Sequence, residues 1–522
     1  MICWCSSSGM LVMVPADYRT IADFLFLTAR RFPDRLAVVD DDGAHTYEEL
    51  AADASAFGRA LKHLGAGAGD RVVVHLPNTA DFLRSHFGIL WAGGVSVPVE
   101  SAAAPESVAA IARAAGARWV VAPPPVVSRL EQVLAGDTAD ITVLSSAVVP
   151  RGQWDSSAEG SPCDPRDLAC LLFTTGSTAR PKGVPLRHEN VCAAIENLVS
   201  LIGYTEWDRE VIVLPLAHSF GLGHVYCNFR VGGAVRLFEG MSKVGRVLKA
   251  LREFGATGFP GTPLGFGLLL DRYLEPFREA ARHLRFIVVN SAPLPAPRAQ
   301  QLMAYLPDTT LYVYYGLTEA SRSTMLALNG LAPERLTSVG RAMPRIDVRI
   351  DGHDGSPVPA GTVGQVTIAG PTVPGTYWAD AEATAEGYRN GRVLTGDLGY
   401  LDAEGYLFIT GRIKDQINLG GTKVAGAEVE SVLREHPDVE DCAVLGMPSQ
   451  AGLESEVIVA CVVLRPGSAF EASALQRHVR DRLEPYKVPA EIYRFDRIPR
   501  AVTGKVLRPE TRVMAAAARG TM

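Results

Sequence analysis

From about Tyr18 onward, short runs of β-branched residues alternate with stretches whose apolar residues recur every three or four positions, and this alternation limits the fold more than any other feature. A strand apolar throughout must be buried on both faces, and a helix with one apolar stripe must cover something. Together they predict helices layered on sheets. Residues 71–77 (RVVVHLP) read as a strand, 79–93 as a helix and 95–99 as the next strand. The rhythm returns in VIVLPLAHS from Val211, followed by the helix VGRVLKALREFG, and in LRFIVVNSA from Leu284, followed by a helix from about Ala296. Near Gly352 the texture changes to DGSPVPAGTVGQVTIAG, whose Gly, Pro and short alternating runs suggest a small β-rich subdomain. After GRIKDQ comes a compact tail: a helix at 427–436, strands at 440–446 and 456–464, a helix at 473–483 and a last strand at Glu491. The alanine-rich C-terminus reads only as low complexity.

With 522 residues, 47% of them hydrophobic and 21% charged, the chain can build one large and one small domain or three of medium size. Its formal net charge is -6, and Lys and Arg are spread along it rather than gathered in runs. No basic surface is expected to capture a polyanion by counterion release, which argues against a nucleic-acid partner. The eight cysteines are scattered, and Cys3 and Cys5 are too close for the usual zinc pairs, so reduced thiols in a cytoplasmic protein are expected. The opening MICWCSSSGMLVMVP lacks a charged n-region, and SSSG breaks its apolar run short of a signal or membrane span. Residues 1–17 are expected to be a disordered extension or, given Met10 and Met13, the result of a misassigned start; no other run is long enough to cross a bilayer.

The segment LACLLFTTGSTARPKGVPLRHEN carries the most chemistry. An apolar strand at 168–173 runs into a loop of hydroxyls, glycine and one lysine, and Val191, Ala194, Ile195, Leu198 and Leu201 then mark a helix from about His188. Small hydroxyl side chains and bare backbone N–H groups can wrap a polyphosphate, while Lys182 adds a point charge. The same composition also makes ordinary loops. The Walker pattern G-x-x-x-x-G-K-[ST] fails, since Pro181 stands at its second glycine and Gly183 at its Ser or Thr.

Residues 174–183 resemble the signature T-S-G-[ST]-T-G-x-P-K-G of the adenylate-forming superfamily of acyl-CoA synthetases, luciferases and nonribosomal-peptide adenylation domains. Ala179 replaces one of its glycines, where a Cβ disfavours positive φ, and Arg180 adds a second cation. The resemblance runs from about Tyr18 to Arg508, its motifs keep the family's order, and they are closest to those of acyl-CoA ligases. It implies an α/β fold: a large N-terminal AMP-binding domain (18–413) of two βα-layered subdomains plus a small β-barrel-like subdomain, then a small mobile α+β C-terminal domain (414–522).

The same resemblance implies the site. Thr174, Thr175, Gly176, Ser177, Thr178 and Lys182 would cradle the phosphates of ATP. VYYGLTEA (313–320) matches the family's Y-G-x-T-E box, in which Tyr315 would stack on adenine beside Gly316, Thr318 would meet the α-phosphate, and Glu319 would hold Mg²⁺ as a carboxylate holds a hard cation. Without the family, Thr-Glu after a strand reads as a helix N-terminus. NSAPLP (290–295) is similar to the adenine-pocket segment, so Ser291, Ala292 and Pro293 would supply backbone contacts. TGDLGYLDAEGYLFITGR (395–412) resembles the ribose box, with Asp397 accepting both ribose hydroxyls and Arg412 steadying ribose or phosphate. His218 in PLAHSFGLGH matches a residue that guards the acyl pocket and approaches the α-phosphate, although a histidine at a strand end is also a common packing residue. Lys505 in PRAVTGKVLR matches the lysine set between substrate carboxylate and α-phosphate, where an ammonium stabilises the pentavalent phosphorus.

The implied reaction is ATP-dependent activation of a small-molecule carboxylic acid to an acyl adenylate with loss of pyrophosphate, followed by thioester formation with coenzyme A. Lys414 is the implied hinge about which the C-terminal domain swings between the two steps. Relatives that activate amino acids carry an aspartate where Gly221 stands, so no carboxylate waits for an amine. Gly221, Gly223 and Gly261 with their apolar neighbours suggest a roomy pocket for a fatty, aryl or alicyclic acid, unless those glycines serve packing. INLGGTKVAGAEVE (417–430) is similar to the coenzyme A ligase form, in which Gly420 and Gly421 would pass the pantetheine arm, though Gly426 replaces the usual proline. An acyl carrier protein as acceptor, an enzyme that stops at the adenylate, a luciferase-like oxygenase and a silent nucleotide-binding homologue remain as alternatives, and a homodimer is compatible with all of them.

Overall fold

The computed structural model describes residues 18–135, 141–148, 151–152, 163–174, 181–419, 422–448, 456–501 and 504–520. The extension 1–17, the loop residues Thr175, Gly176, Ser177, Thr178, Ala179 and Arg180, and the glycines Gly420 and Gly421 lie outside them. Two compact units are formed, Met1–Asp208 with Leu222–Leu237, and Arg209–Gly221 with Phe238–Met522.

In the first unit a six-stranded sheet runs in the order Thr142–Ser145, Trp119–Ala122, Arg71–Val74, Val95–Pro98, Leu168–Thr174, Lys182–Arg187. The first five strands are parallel and the last is antiparallel. Val72, Val73 and Val74 are buried to within 1% of complete, as a strand covered on both faces requires. Burial of each stabilises the sheet by roughly 1.5–3 kcal/mol relative to exposure. The expected helix between the first two βα strands is Ala80–Trp91. The strand Lys182–Arg187 between phosphate loop and helix escapes the sequence reading, because Gly183 and Pro185 disguise it. An edge strand tolerates a proline, which has no N–H to give the ladder.

In the second unit, Arg209–Ile212, Gly258–Gly261, Phe286–Val289 and Thr310–Leu317 form a parallel sheet, extended antiparallel by Ala320–Ala327. Phe259, Phe266, Leu269, Ile287 and Leu311 belong to the core beneath it. The segment expected to be β-rich is a five-stranded antiparallel sheet built on Asp347–Asp351, Gly364–Ala369 and Arg392–Leu401. In the tail, Val439–Pro448 pairs antiparallel with Glu456–Leu464, which pairs parallel with Glu491–Arg494. Cys442 and Val444 pack with Val429, Leu433 and Val479 of the helices Gly426–Arg434 and Ala472–Arg480. The alternate residues Ala443 and Leu445 pack instead with Ala515 of the helix Arg508–Gly520. The alanine-rich end is therefore a structural helix, and small side chains let it lie close to the sheet. The α/β architecture with an α+β C-terminal region is as expected.

Candidate active site

Residues that follow the C-terminal ends of adjacent parallel strands share one edge of the sheet, and there the second unit gathers its polar motifs. His218 follows Arg209–Ile212 and leads into the helix Ser219–Val231. Asn290 follows Phe286–Val289, donates its backbone N–H to Gly261 O (3.4 Å), and donates Nδ2 to Tyr314 O (2.6 Å), tying three strand ends together. Ser291 beside it is held at φ 83°, a left-handed conformation that a non-glycine residue adopts only when its surroundings impose it. Ala292 is half-buried and Pro293 exposed.

Thr318 and Glu319 do not start a helix. They form the two-residue turn of the hairpin between Thr310–Leu317 and Ala320–Ala327, where Leu317 pairs with Ala320. Gly316 makes the turn possible, because a Cβ there would stand 2.5 Å from the Arg322 nitrogen. The turn leaves Glu319 only 8% exposed, with Oε1 accepting from the Tyr377 hydroxyl at 2.8 Å. Burial and then the Glu319 charge push the phenol of Tyr377 well above its usual range, so it remains a donor. Burial and Glu319 also raise the phenol of Tyr388, which stacks edge-on against Tyr377 at 5.3 Å. The sequence reading passed over both tyrosines, and only the aromatic cluster in GTYWAD hinted at one of them.

Asp397 is paired in register with Arg412 across antiparallel strands. Its carboxylate accepts from Arg412 Nε on Oδ1 (2.6 Å) and from the Tyr315 hydroxyl on Oδ2 (2.6 Å). Burial opposes the charge of Arg412, but Asp397, with Asp415 and Tyr315, together outweighs it, and the guanidinium's pKa lies above its ordinary value. Burial, then Asp397, hold the Tyr315 phenol protonated. A carboxylate offers about four lone-pair sites, so these two contacts leave two for a diol.

Lys505 sits on the turn closed by Ala501 N–H to Lys505 O (2.8 Å) and Gly504 N–H to Ala501 O (2.8 Å). Arg500 braces this turn by donating Nη1 to Gly504 O (2.7 Å) while its Nε and Nη2 grip Asp441. Gly504 has φ +83°, where glycine avoids the Cβ penalty. Much of the Lys505 residue surface is solvent-exposed, yet protein atoms crowd its ammonium. Its pKa is lowered mainly by this desolvation and then by Arg412, with Asp397 and Glu319 pulling it back up. The ammonium thus feels the charges of both acidic residues.

The first unit places Thr174 opposite Lys182 where two antiparallel strands end and begin, with Thr174 Oγ1 donating to Lys182 O at 3.4 Å. Two glycines of the expected acid pocket are required by close packing. A Cβ on Gly221 would stand 2.5 Å from Pro215 O, and one on Gly261 would stand 2.8 Å from the Phe266 ring, so neither glycine opens space. Gly223 is buried in the helix Ser219–Val231.

The profile described as AMP-binding enzyme matches residues 25–378, and the AMP-binding enzyme C-terminal domain matches residues 428–505. The chain belongs to the AMP-binding enzyme family. This AMP-binding enzyme is 32% identical over 490 residues to the feruloyl-CoA synthase of an Amycolatopsis species, covering 93% of its own chain and 96% of that relative. It matches the crystal structure of the anthranilate CoA ligase AuaEII in complex with anthranoyl-AMP at TM-score 0.86 and 26% identity, covering 96% and 98% of the two chains. ATP-bound MatB from Rhodopseudomonas palustris matches equally, with TM-score 0.86 and 26% identity over 94% and 98%. The AMP-binding enzyme is thus of the AMP-forming acid–thiol ligase type, as its motifs implied. Among the described residues no helix is long and apolar enough to cross a membrane.

Proposed function

We propose that the chain converts a carboxylic acid and ATP to an acyl adenylate and pyrophosphate, then transfers the acyl group to the thiol of coenzyme A. The observation that carries this reading is the pair of buried carboxylates, Asp397 braced by Arg412 Nε (2.6 Å) and the Tyr315 hydroxyl (2.6 Å) with two acceptor sites left for a diol, and Glu319 oriented by the Tyr377 hydroxyl (2.8 Å). A carboxylate oxygen of the acid attacks the α-phosphorus, the bond to the β-phosphate oxygen breaks, and pyrophosphate leaves with the electron pair. Asp397 receives the ribose hydroxyls on its two remaining sites, Tyr315 flanks the adenine, and Ser291, Ala292 and Pro293 bound it. Lys505 meets the charge that builds between the carboxylate and the α-phosphate. His218 and Thr318 border the same phosphorus, and in the first unit Thr174 and Lys182 carry the hydroxyl and the cation that suit a phosphate.

Among the described residues no group of three or more His, Cys, Asp or Glu could hold a metal ion by itself. A single buried carboxylate oriented by Tyr377 suits a hard cation that takes its other ligands from phosphate and water. Glu319 would hold Mg²⁺, whose chemistry is to withdraw charge from the phosphate oxygens.

For the second step the thiol sulfur attacks the acyl carbon, AMP leaves with the electron pair, and the thiol proton passes to solvent. The hinge assignment to Lys414 is supported by its neighbours. Arg412 is tied to Asp397, whereas Asp415 is tied to Arg508 (3.1 Å), which also holds Glu430 and Val444 O of the tail. Lys414 stands between these two anchors. Carboxylate-dependent ATP–pyrophosphate exchange across aromatic, alicyclic and fatty acids, repeated with coenzyme A and mass analysis of products, tests the whole reading. Exchange at the normal rate in Lys505→Ala contradicts it, and adenylate without thioester removes the coenzyme A step.

A further inference from the structure

Four arginines among the described residues are less than a tenth exposed: Arg84, Arg230, Arg322 and Arg392. Three have a carboxylate: Arg84 meets Asp81 (3.2 Å), Arg230 meets Glu196 (2.6 Å), and Arg392 meets Asp347. Arg322, 3% exposed, has no acidic partner among the described residues. Its Nη1 donates to Ser321 Oγ (2.7 Å), its Nη2 donates to Ser219 O (2.9 Å), and its Nε is buried with no partner. A guanidinium has five N–H donors and cannot shed its charge, so burial without a counter-ion is costly unless something else supplies the anion.

The position of this charge says what could supply it. Ser219 directly follows His218, and Phe220 meets the ring of Tyr314 edge-on at 5.5 Å. Arg322 lies over that same ring, its Cζ 5.7 Å from the centroid. It therefore stands where the segment expected to guard the acid meets the strand leading to Thr318 and Glu319. Its backbone is held at φ 57°, a conformation the surroundings must enforce, so the side chain is placed there by the fold.

We propose that Arg322 determines specificity for the acid, supplying the cation for a second acidic group besides the carboxyl that is activated. The rings of Phe220 and Tyr314 flank the apolar body of such an acid. This inference rests on the activity proposed above, and its test separates the two.

Pyrophosphate exchange is measured with acid pairs that differ only in a second acidic group, such as 3-phenylpropanoate with 3-(4-carboxyphenyl)propanoate and octanoate with octanedioate. Calorimetric binding of the same acids is measured in the presence of AMP. The diacid is expected to exceed its plain partner in kcat/KM by about tenfold or more, because a site built for a polar group rejects an analogue lacking it. In Arg322→Leu that ratio falls to about one, whereas Arg322→Lys keeps part of it, which a merely structural role would not produce. A wild-type ratio at or below one overturns the proposal, as does equal loss of both acids in both variants. A binding preference that vanishes in Arg322→Leu while no acid supports exchange keeps this site and removes the activity. Exchange with plain acids alone does the reverse.

Discussion

At the scale of single residues, the site is a set of charges that tune one another. Asp397→Asn removes the charge and one acceptor oxygen from the contacts with Arg412 and Tyr315, both of them charge-assisted. Loss of a hydrogen bond to a charged group costs about 1.5–3 kcal/mol, so KM for ATP in pyrophosphate exchange is expected to rise about tenfold to a hundredfold. The same substitution also tests the lysine. The ammonium is the active form, so adenylation is full below the Lys505 pKa and fails as pH rises through it. That pKa is already below the ordinary lysine range, and Asp397 is one of the charges holding it up. Asp397→Asn should move the alkaline limb of the adenylation profile to lower pH, and Arg412→Gln should move it higher. A limb that stays put in both variants would show that another group titrates there.

Elements show how much of this was readable beforehand. The βα alternation was legible because strands such as 71–74 and 95–98 are buried on both faces and therefore apolar throughout. The strand at 182–187 was not, since its edge position relaxes the pattern to Gly and Pro. Thr318 and Glu319 were found by motif, but the hairpin that holds them was not, because it depends on the close approach of Gly316 to Arg322. Arg322 lacked any local signal and Tyr377 had only its aromatic neighbours, their roles being set by partners 103 and 58 positions away. Gly426, where the resemblance implied a proline, has a local reason: a Cβ there would stand 2.8 Å from Val444 O. Overpacking of this kind costs about 1–3 kcal/mol, so Gly426→Ala should lower Tm of the chain without an equal loss of ATP binding. The turn carrying Lys505 is held by Arg500 on Asp441, so Arg500→Ala should slow adenylate formation by about tenfold, the scale of one charge-assisted contact, while far-UV circular dichroism is unchanged.

For the whole molecule, the two anchors around Lys414 divide the chain into a part tied to Asp397 and a part tied to Arg508. Lys414→Pro is expected to leave pyrophosphate exchange largely intact and to slow thioester release in single-turnover measurements. Equal loss of both would place the pivot elsewhere. The turn that presents Lys505 takes its braces from its own side of that pivot, and no bond within ion-pair distance joins the ammonium to any described carboxylate. Withdrawal of the lysine therefore breaks no latch among the described residues; the ammonium leaves Asp397 and Glu319 but also Arg412 and Lys414, and regains the hydration that burial took from it. Attraction and repulsion that offset one another are screened together within about 10 Å, so added salt should change the dwell between the two half-reactions little.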